Sequence, residues 1–244
     1  MPTRSPPDAP SPPGATRELN RSGVVVVIPA LDEEAALPLV LGDLPAVGAV
    51  VVVDNGSTDR TAEVARQRGA IVVSEPRRGY GNACLAGIAR ARALGAEVVV
   101  ILDADHSDHA EELPLLADPV LRGEADLVQG DRTRLALPGS LMPQQRFGNV
   151  LATALIARIT GYRYRDMGPF RAIRLSSLDT LDMVDPNYGW NVEMQMKAVR
   201  RGLRILEVPV HYRARVGQSK VSGTVRGSVK AGAKILWSTW RYAR

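Results

Sequence analysis

The chain has 244 residues, 45% of them hydrophobic and 23% charged, with a net charge of +5. That length suits one α/β domain with a small appendage, and the apolar share is ample for a core. Its single cysteine, Cys84, excludes an internal disulfide, its two phenylalanines leave little for stacking single-stranded nucleic acid, and no apolar run is long enough to span a bilayer.

Residues 1–22 are rich in proline, serine and charge, and Pro6-Pro7 and Pro12-Pro13 favour extended backbone; they read as a disordered tail. Residues 24–28 form a first apolar strand, and Pro29-Ala30-Leu31-Asp32-Glu33-Glu34 is the turn after it. Asp32 or Glu33 is placed to cap a helix over 37–44. A second strand over 50–53 leads into the polar loop 54–59, then a helix over 61–68 that Gly69 stops. A short strand over 71–74, a helix over 80–94 stopped by Gly95, and a strand over 98–102 follow. This alternation predicts a doubly wound, mostly parallel sheet.

The pattern thins after Asp105. A strand over 126–129, a helix over 151–159 and a late strand over 204–212 are expected, the last at a sheet edge because of Pro209. The ordered domain is expected over 23–222, its second half supplying the other wall of a cleft. Residues 223–244 have helical periodicity, with Val225, Val229, Leu236 and Trp240 on one face and Arg226, Lys230, Lys234 and Arg241 beside it. Such a helix either lies on an anionic membrane or packs on the domain or on a second subunit. No apolar leader opens the chain, which predicts a cytoplasmic protein, peripheral at most on the membrane's inner face.

The apolar run 98–102 ends in Asp103-Ala104-Asp105. Ligands of open α/β sheets bind outside the carboxyl ends of the strands. Two carboxylates so placed can hold a hard divalent ion and, through it, a diphosphate; the plain alternative is a solvated loop. In a parallel sheet the loops after the first two strands reach the same edge, so Leu31, Glu33, Asp54, Ser57, Asp103 and Asp105 are expected around one crevice. Asp54 either accepts a hydrogen bond from a nucleoside or holds its own loop. Asp59 is expected only to cap. In Arg77-Arg78-Gly79-Tyr80-Gly81-Asn82-Ala83, two glycines at a helix start let an anion approach free N–H groups. It is neither a Walker loop nor a full dinucleotide fingerprint.

Three segments together resemble glycosyltransferase family 2: Val27-Ile28-Pro29-Ala30-Leu31-Asp32-Glu33-Glu34, Val53-Asp54-Asn55-Gly56-Ser57-Thr58-Asp59-Arg60-Thr61, and Asp103-Ala104-Asp105. Arg78-Gly79-Tyr80-Gly81-Asn82-Ala83, Asp126-Leu127-Val128-Gln129-Gly130-Asp131-Arg132 and Arg215-Val216-Gly217-Gln218-Ser219-Lys220 resemble the dolichyl-phosphate mannose and glucose synthase group within it. The resemblance implies a single GT-A domain, Rossmann-like and doubly wound, with a mixed but mostly parallel sheet. It implies an inverting, metal-dependent hexosyltransferase that moves sugar from a UDP- or GDP-sugar to a polyprenyl or dolichyl phosphate. Pro29, Leu31, Glu33, Asp54, Arg78 and Gly79 would bind the donor, Asp103 its ribose or the metal, and Asp105 the metal, Mg²⁺ or Mn²⁺.

Acceptor chemistry would fall to Arg132, Arg171, Arg215, Ser219 and Lys220, since arginine and lysine suit phosphate. A phosphate acceptor needs little base catalysis; a saccharide or small-molecule hydroxyl needs a carboxylate, for which Asp166 and Glu193 are the candidates. Asp166-Met167-Gly168-Pro169-Phe170-Arg171 and Tyr188-Gly189-Trp190-Asn191-Val192-Glu193-Met194 depart from the group's usual pattern. They leave sugar and acceptor open. His106 and His109 flank the acidic pair, and His106 either touches the diphosphate or has no chemical role. A sugar nucleotidyltransferase is disfavoured, because the loop after the first strand is acidic rather than basic and glycine-rich. A non-catalytic nucleotide-sugar sensor remains the other class; no nucleic-acid motif is present.

Overall fold

The computed structural model describes residues 19–217, so the segments 1–18 and 218–244 lie outside the described residues. A seven-stranded sheet runs through it in the order β3-β2-β1-β4-β6-β5-β7. The first four strands are β1 (Val24–Ala30), β2 (Ala49–Asp54), β3 (Ile71–Ser74) and β4 (Val98–Ile101), all parallel. Their valine and isoleucine runs are covered on both faces, which is why they read as continuous apolar stretches rather than alternating ones. Residues 24, 26 and 28 of β1 face one core layer, and 25 and 27 face the other.

The first layer packs the sheet against α1 (Leu37–Asp43), α2 (Thr61–Gln67) and α4 (Leu113–Leu121). The second packs it against α3 (Tyr80–Ala93), α6 (Leu175–Leu181) and α7 (Trp190–Arg200). Cys84 is a free, buried member of that second layer. The result is a three-layer α/β/α domain, the single doubly wound fold expected.

The other half of the sheet is β5 (Leu127–Ala136), β6 (Arg171–Arg174) and β7 (Ile205–Tyr212). β6 runs antiparallel to both β4 and β5, whereas β5 and β7 are parallel, so the sheet is mixed but mostly parallel. β7 is the edge strand that Pro209 predicts. β5 runs seven residues past its expected end because it follows β7 through a register shift between Asp131 and Leu135. α5 (Pro143–Thr160) begins eight residues ahead of the expected 151. Pro143 opens it, the Gln145 side chain accepts the Met142 N–H at 2.9 Å, and Gly161, at φ +78°, closes it.

Two local expectations need correction. Neither Asp32 nor Glu33 caps α1, whose N-cap is Ala36 with no side-chain bond. Asp32 instead sits at φ +52° and accepts the Thr58 N–H at 2.6 Å, tying the first two loops together. Asp59 does bond the first turn of α2, through the Thr61 N–H at 2.9 Å. The described chain is also held before Gly23: Arg21 forms a two-pronged pair with Asp118, both bonds 2.7 Å. Among the described residues no helix is long and apolar enough to cross a membrane.

Candidate active site

The carboxyl ends of β1, β2 and β4 open into a cleft of about 380 Å³. Pro29, Leu31 and Glu33 form its wall after β1, and Asp103 and Asp105 its floor after β4. Arg78, Gly79 and Tyr80, at the start of α3, face them, and Asn187 and Tyr188 close one side. Arg215 reaches in from the segment after β7.

Two glycines make this arrangement possible. A Cβ on Gly79 would stand 2.2 Å from the Pro186 carbonyl oxygen, and one on Gly81 would stand 1.9 Å from that of Asp185. The start of α3 and the 185–187 loop therefore touch backbone to backbone, with Asn82 N–H donating to Pro186 O at 3.0 Å. That approach brings Asn187 and Tyr188 over the cleft. Asn55 holds the same loop from below. Its Nδ2 donates to Glu75 O (2.8 Å) and Arg77 O (2.9 Å), and its Oδ1 accepts the Gly79 N–H (2.8 Å). Asn55, Asn187 and Tyr188 were not singled out from the sequence. The amide in Asp54-Asn55-Gly56 was the available signal for the first, while the other two are placed by a tertiary contact.

The acids repel one another. Burial, with Asp105 and Asp108 close by, pushes the Asp103 carboxyl well above the usual carboxylate range. Asp108, fully buried, is pushed up to about 7 by burial against the pull of Arg132, and its Oδ1 has no hydrogen-bond partner. Arg215 supplies counter-charge. Its Nη2 lies 2.7 Å from Glu33 Oε1, and its Nη1 lies 3.3 Å from Asp105 Oδ2. The strand end carrying it is laced to the acidic loop, with Val216 N–H on Asp105 O (2.9 Å) and Arg213 N–H on Ser107 O (3.0 Å). Arg213 also pairs with Asp43 at 2.8 Å. His106 Nε2 sits 2.8 Å from the same carboxylate, which places the imidazole outside the cleft lining.

The structure thus brings Pro29, Leu31, Glu33, Arg78, Gly79, Asp103, Asp105 and Arg215 to one cleft. Others lie elsewhere. Asp54 is outside the lining, and its Oδ1 accepts the Ser57 N–H at 2.9 Å. Asp166 is 1% exposed and grips Arg132 with both oxygens, at 2.7 and 2.9 Å, while also accepting backbone N–H groups of Arg132 and Met167. The Arg132 guanidinium lies over the Tyr212 ring, 4.9 Å from its centroid. Glu193, fully buried, accepts the Val184 and Asp185 N–H groups at 3.0 and 2.7 Å and pairs with Lys197 at 2.7 Å. Arg171 was expected at an acceptor phosphate, but it is fully buried, with its guanidinium on the Gly168 and Pro169 carbonyls and the Met194 sulfur. It braces the turn before β6 and does not line the cleft. Ser219 and Lys220 lie outside the described residues.

Residues 25–181 match the family model for glycosyl transferase family 2. An uncharacterized glycosyltransferase of Mycobacterium tuberculosis is 41% identical over 210 residues, covering 85% of this chain and 94% of the relative. The undecaprenyl-phosphate mannosyltransferase of Micrococcus luteus is 35% identical over 222 residues, covering 84% and 89%. Among solved structures, glucosyl-3-phosphoglycerate synthase of Mycobacterium tuberculosis, crystallised with Mn²⁺, UDP-glucose and phosphoglyceric acid, superposes with a TM-score of 0.72 at 26% identity. That match covers 94% of this chain and 85% of the synthase. The chain belongs to glycosyl transferase family 2, and it is a glycosyltransferase of the GT-A fold.

Proposed function

We propose that this family 2 enzyme moves a hexose from a nucleotide-diphosphate sugar to a polyprenyl phosphate, inverting the anomeric carbon by direct displacement. The observation that carries the reading is the fate of the two second-half carboxylates that a hydroxyl acceptor would call on. Asp166 is chelated by Arg132, and Glu193 is buried on backbone N–H groups and Lys197. Neither is available to take a proton from a hydroxyl. A phosphate monoester needs no such base, since its second pKa is about 6 and it is largely ionised at neutral pH. The relative named as an undecaprenyl-phosphate mannosyltransferase supports the same acceptor class.

In this reading Pro29 and Leu31 pack on the base, Glu33 binds the nucleoside, and Arg78 with the N-terminus of α3 faces the diphosphate, while Asp54 holds the loop after β2. Arg215 faces the phosphates across the cleft, and Ser219 and Lys220, which lie outside the described residues, are assigned to the acceptor phosphate. A divalent ion fits the floor: the donors are all carboxylate oxygens, and the crowding that lifts Asp103 is what a cation relieves. Among the described residues no three acids or imidazoles form a closed metal cage. Asp105 and Asp103 are the residues that would hold Mg²⁺ or Mn²⁺ there. When bound, the ion neutralises charge on the departing diphosphate.

One observation favours a second reading. The synthase neighbour was crystallised with phosphoglyceric acid, a small phosphorylated acid. The test offers undecaprenyl phosphate in detergent, phosphoglycerate and a free saccharide in parallel, with labelled UDP- and GDP-hexoses and Mn²⁺ or Mg²⁺. The expected product is organic-extractable label that needs the lipid phosphate and vanishes with chelator and in Asp105→Asn. Label appearing on phosphoglycerate or the saccharide, and not on the lipid, overturns the acceptor assignment.

A further inference from the structure

Between positions 132 and 165 the chain holds six arginines (Arg132, Arg134, Arg146, Arg158, Arg163 and Arg165) and no lysine or acidic residue. Arg132 is engaged with Asp166, but among the described residues no carboxylate pairs with Arg146, Arg158 or Arg163. The same stretch exposes large apolar side chains. Phe147 is 71% exposed, Val150 66%, Leu137 50% and Met142 40%. Phe147, Val150 and Ala154 fall on one face of α5 by helical spacing, with Arg158 continuing the line. The opposite face is buried: Ile156 packs against Val192 and Met196 of α7. The outward face of α5 is thus apolar along its centre and basic at its margins, and among the described residues nothing covers it.

Its position is equally specific. β5 runs parallel to β4, since both are antiparallel to β6, so β5 ends at the cleft edge of the sheet and feeds α5 from there. Asn149 then ties the helix to the turn that bears Asp166, accepting the Met167 N–H at 2.8 Å.

We propose that α5 and the loop before it form a docking face for an anionic bilayer surface, with Phe147 and Val150 entering the head-group layer and the arginines meeting lipid phosphates. A helix with a narrow apolar centre and a basic border has the make-up of an interfacial helix. A second copy fits poorly, because a two-fold contact would set this all-arginine border against itself. The inference does not depend on which acceptor the enzyme uses, although the face adjoins the cleft where a lipid-linked one would arrive.

The test is sedimentation of the full chain with vesicles, without donor. Wild type is expected to bind vesicles containing phosphatidylglycerol, more weakly at high salt, and to leave pure phosphatidylcholine vesicles largely unbound. Phe147→Glu with Val150→Glu is expected to weaken binding at least tenfold with an unchanged melting temperature and unchanged UDP binding. Phe147→Trp keeps binding, since tryptophan suits the interface. Arg158→Gln and Arg163→Gln each weaken it about fivefold, the equivalent of ~1 kcal/mol for one basic residue at an anionic surface. Wild-type binding by the double glutamate variant overturns the proposal. So does a concentration-dependent dimer that the same variant dissociates while wild type ignores the vesicles. Because no turnover is measured, either failure leaves the acceptor assignment untouched.

Discussion

Asp166 separates a brace from a base. Its carboxylate accepts two bonds from the Arg132 guanidinium and two from backbone N–H groups, in a site where the Asp166 and Arg132 side chains are 2% and 13% exposed. Removing one partner of a buried pair strands the other and costs about 3–5 kcal/mol. Asp166→Asn keeps the shape and one acceptor, and Arg132 retains the field of Asp108 and Asp103, so about 3 kcal/mol is expected. For a domain of this size 1 kcal/mol shifts the melting temperature by about 2–4 °C, so the variant should melt roughly 6–12 °C early. Burial raises the Asp166 pKa, but charge and hydrogen bonds from Arg132 bring it below the ordinary carboxylate range. The folded state therefore holds that proton less tightly than the unfolded chain. The stabilisation is complete above about pH 4 and fades as pH falls through the lower folded value. Denaturant titrations of both proteins should show a constant gap from about pH 5 to 8 that closes in stronger acid. If Asp166→Asn instead melts with wild type, binds donor normally and loses turnover, the carboxylate is a base and the phosphate-acceptor argument fails with it.

Four further outcomes follow from the same geometry. Arg215→Ala removes the guanidinium between Glu33 and Asp105, and a charged hydrogen bond of about 1.5–3 kcal/mol predicts roughly a ten- to hundredfold loss of kcat/KM. Arg215→Lys should recover only part of it, since one ammonium does not span both partners. Gly81→Ala drives a Cβ into the Asp185 carbonyl, so a fall of at least about 1–3 kcal/mol in urea unfolding is expected, with a raised donor KM as Asn187 and Tyr188 move away. Asn55→Ala deletes three hydrogen bonds, one buried and two half-buried, that hold the Arg77–Gly79 turn and should lower stability by about 2–3 kcal/mol while weakening UDP binding in calorimetry. Chelation, or Asp105→Asn, should abolish turnover and remove the rise in melting temperature that UDP with Mn²⁺ produces in wild type.

The first half of the fold was legible because β1, β2 and β4 are apolar runs with buried residues on both faces and two of its helices end at glycines. Gly69 and Gly95, at φ +80° and +75°, stop α2 and α3 as expected. The second half breaks those cues. β6 is Arg-Ala-Ile-Arg, four residues whose flanking arginines hide a strand in the middle of the sheet. α4 carries Pro119 inside it and Pro114 in its first turn. α7 buries Glu193 and Gln195 on a face that apolar periodicity assigns to packing. In each case tertiary contacts overrode the local pattern.

The site divides along a different line. Leu31, Glu33, Asp103 and Asp105 were readable because parallel topology sends the loops after β1 and β4 to one edge, so position in the chain implies position in space. Charged residues of the second half carried no such implication. An arginine or carboxylate in a loop serves a ligand only if no neighbour satisfies it first, and that depends on partners far away in sequence. Asp166 meets Arg132 across 34 positions, whereas Arg171 turns back to the carbonyls at 168 and 169. Arg215 meets Glu33 across 182 positions, yet that contact leaves it in the cleft, 27% exposed, where an incoming diphosphate can compete for it. The distinction between Arg171 and Arg215 is therefore one of desolvation rather than residue type. A guanidinium already stripped of water and bonded to backbone cannot exchange partners for a phosphate without leaving those carbonyls unpaired, and one bridging two carboxylates at the mouth of a cleft can.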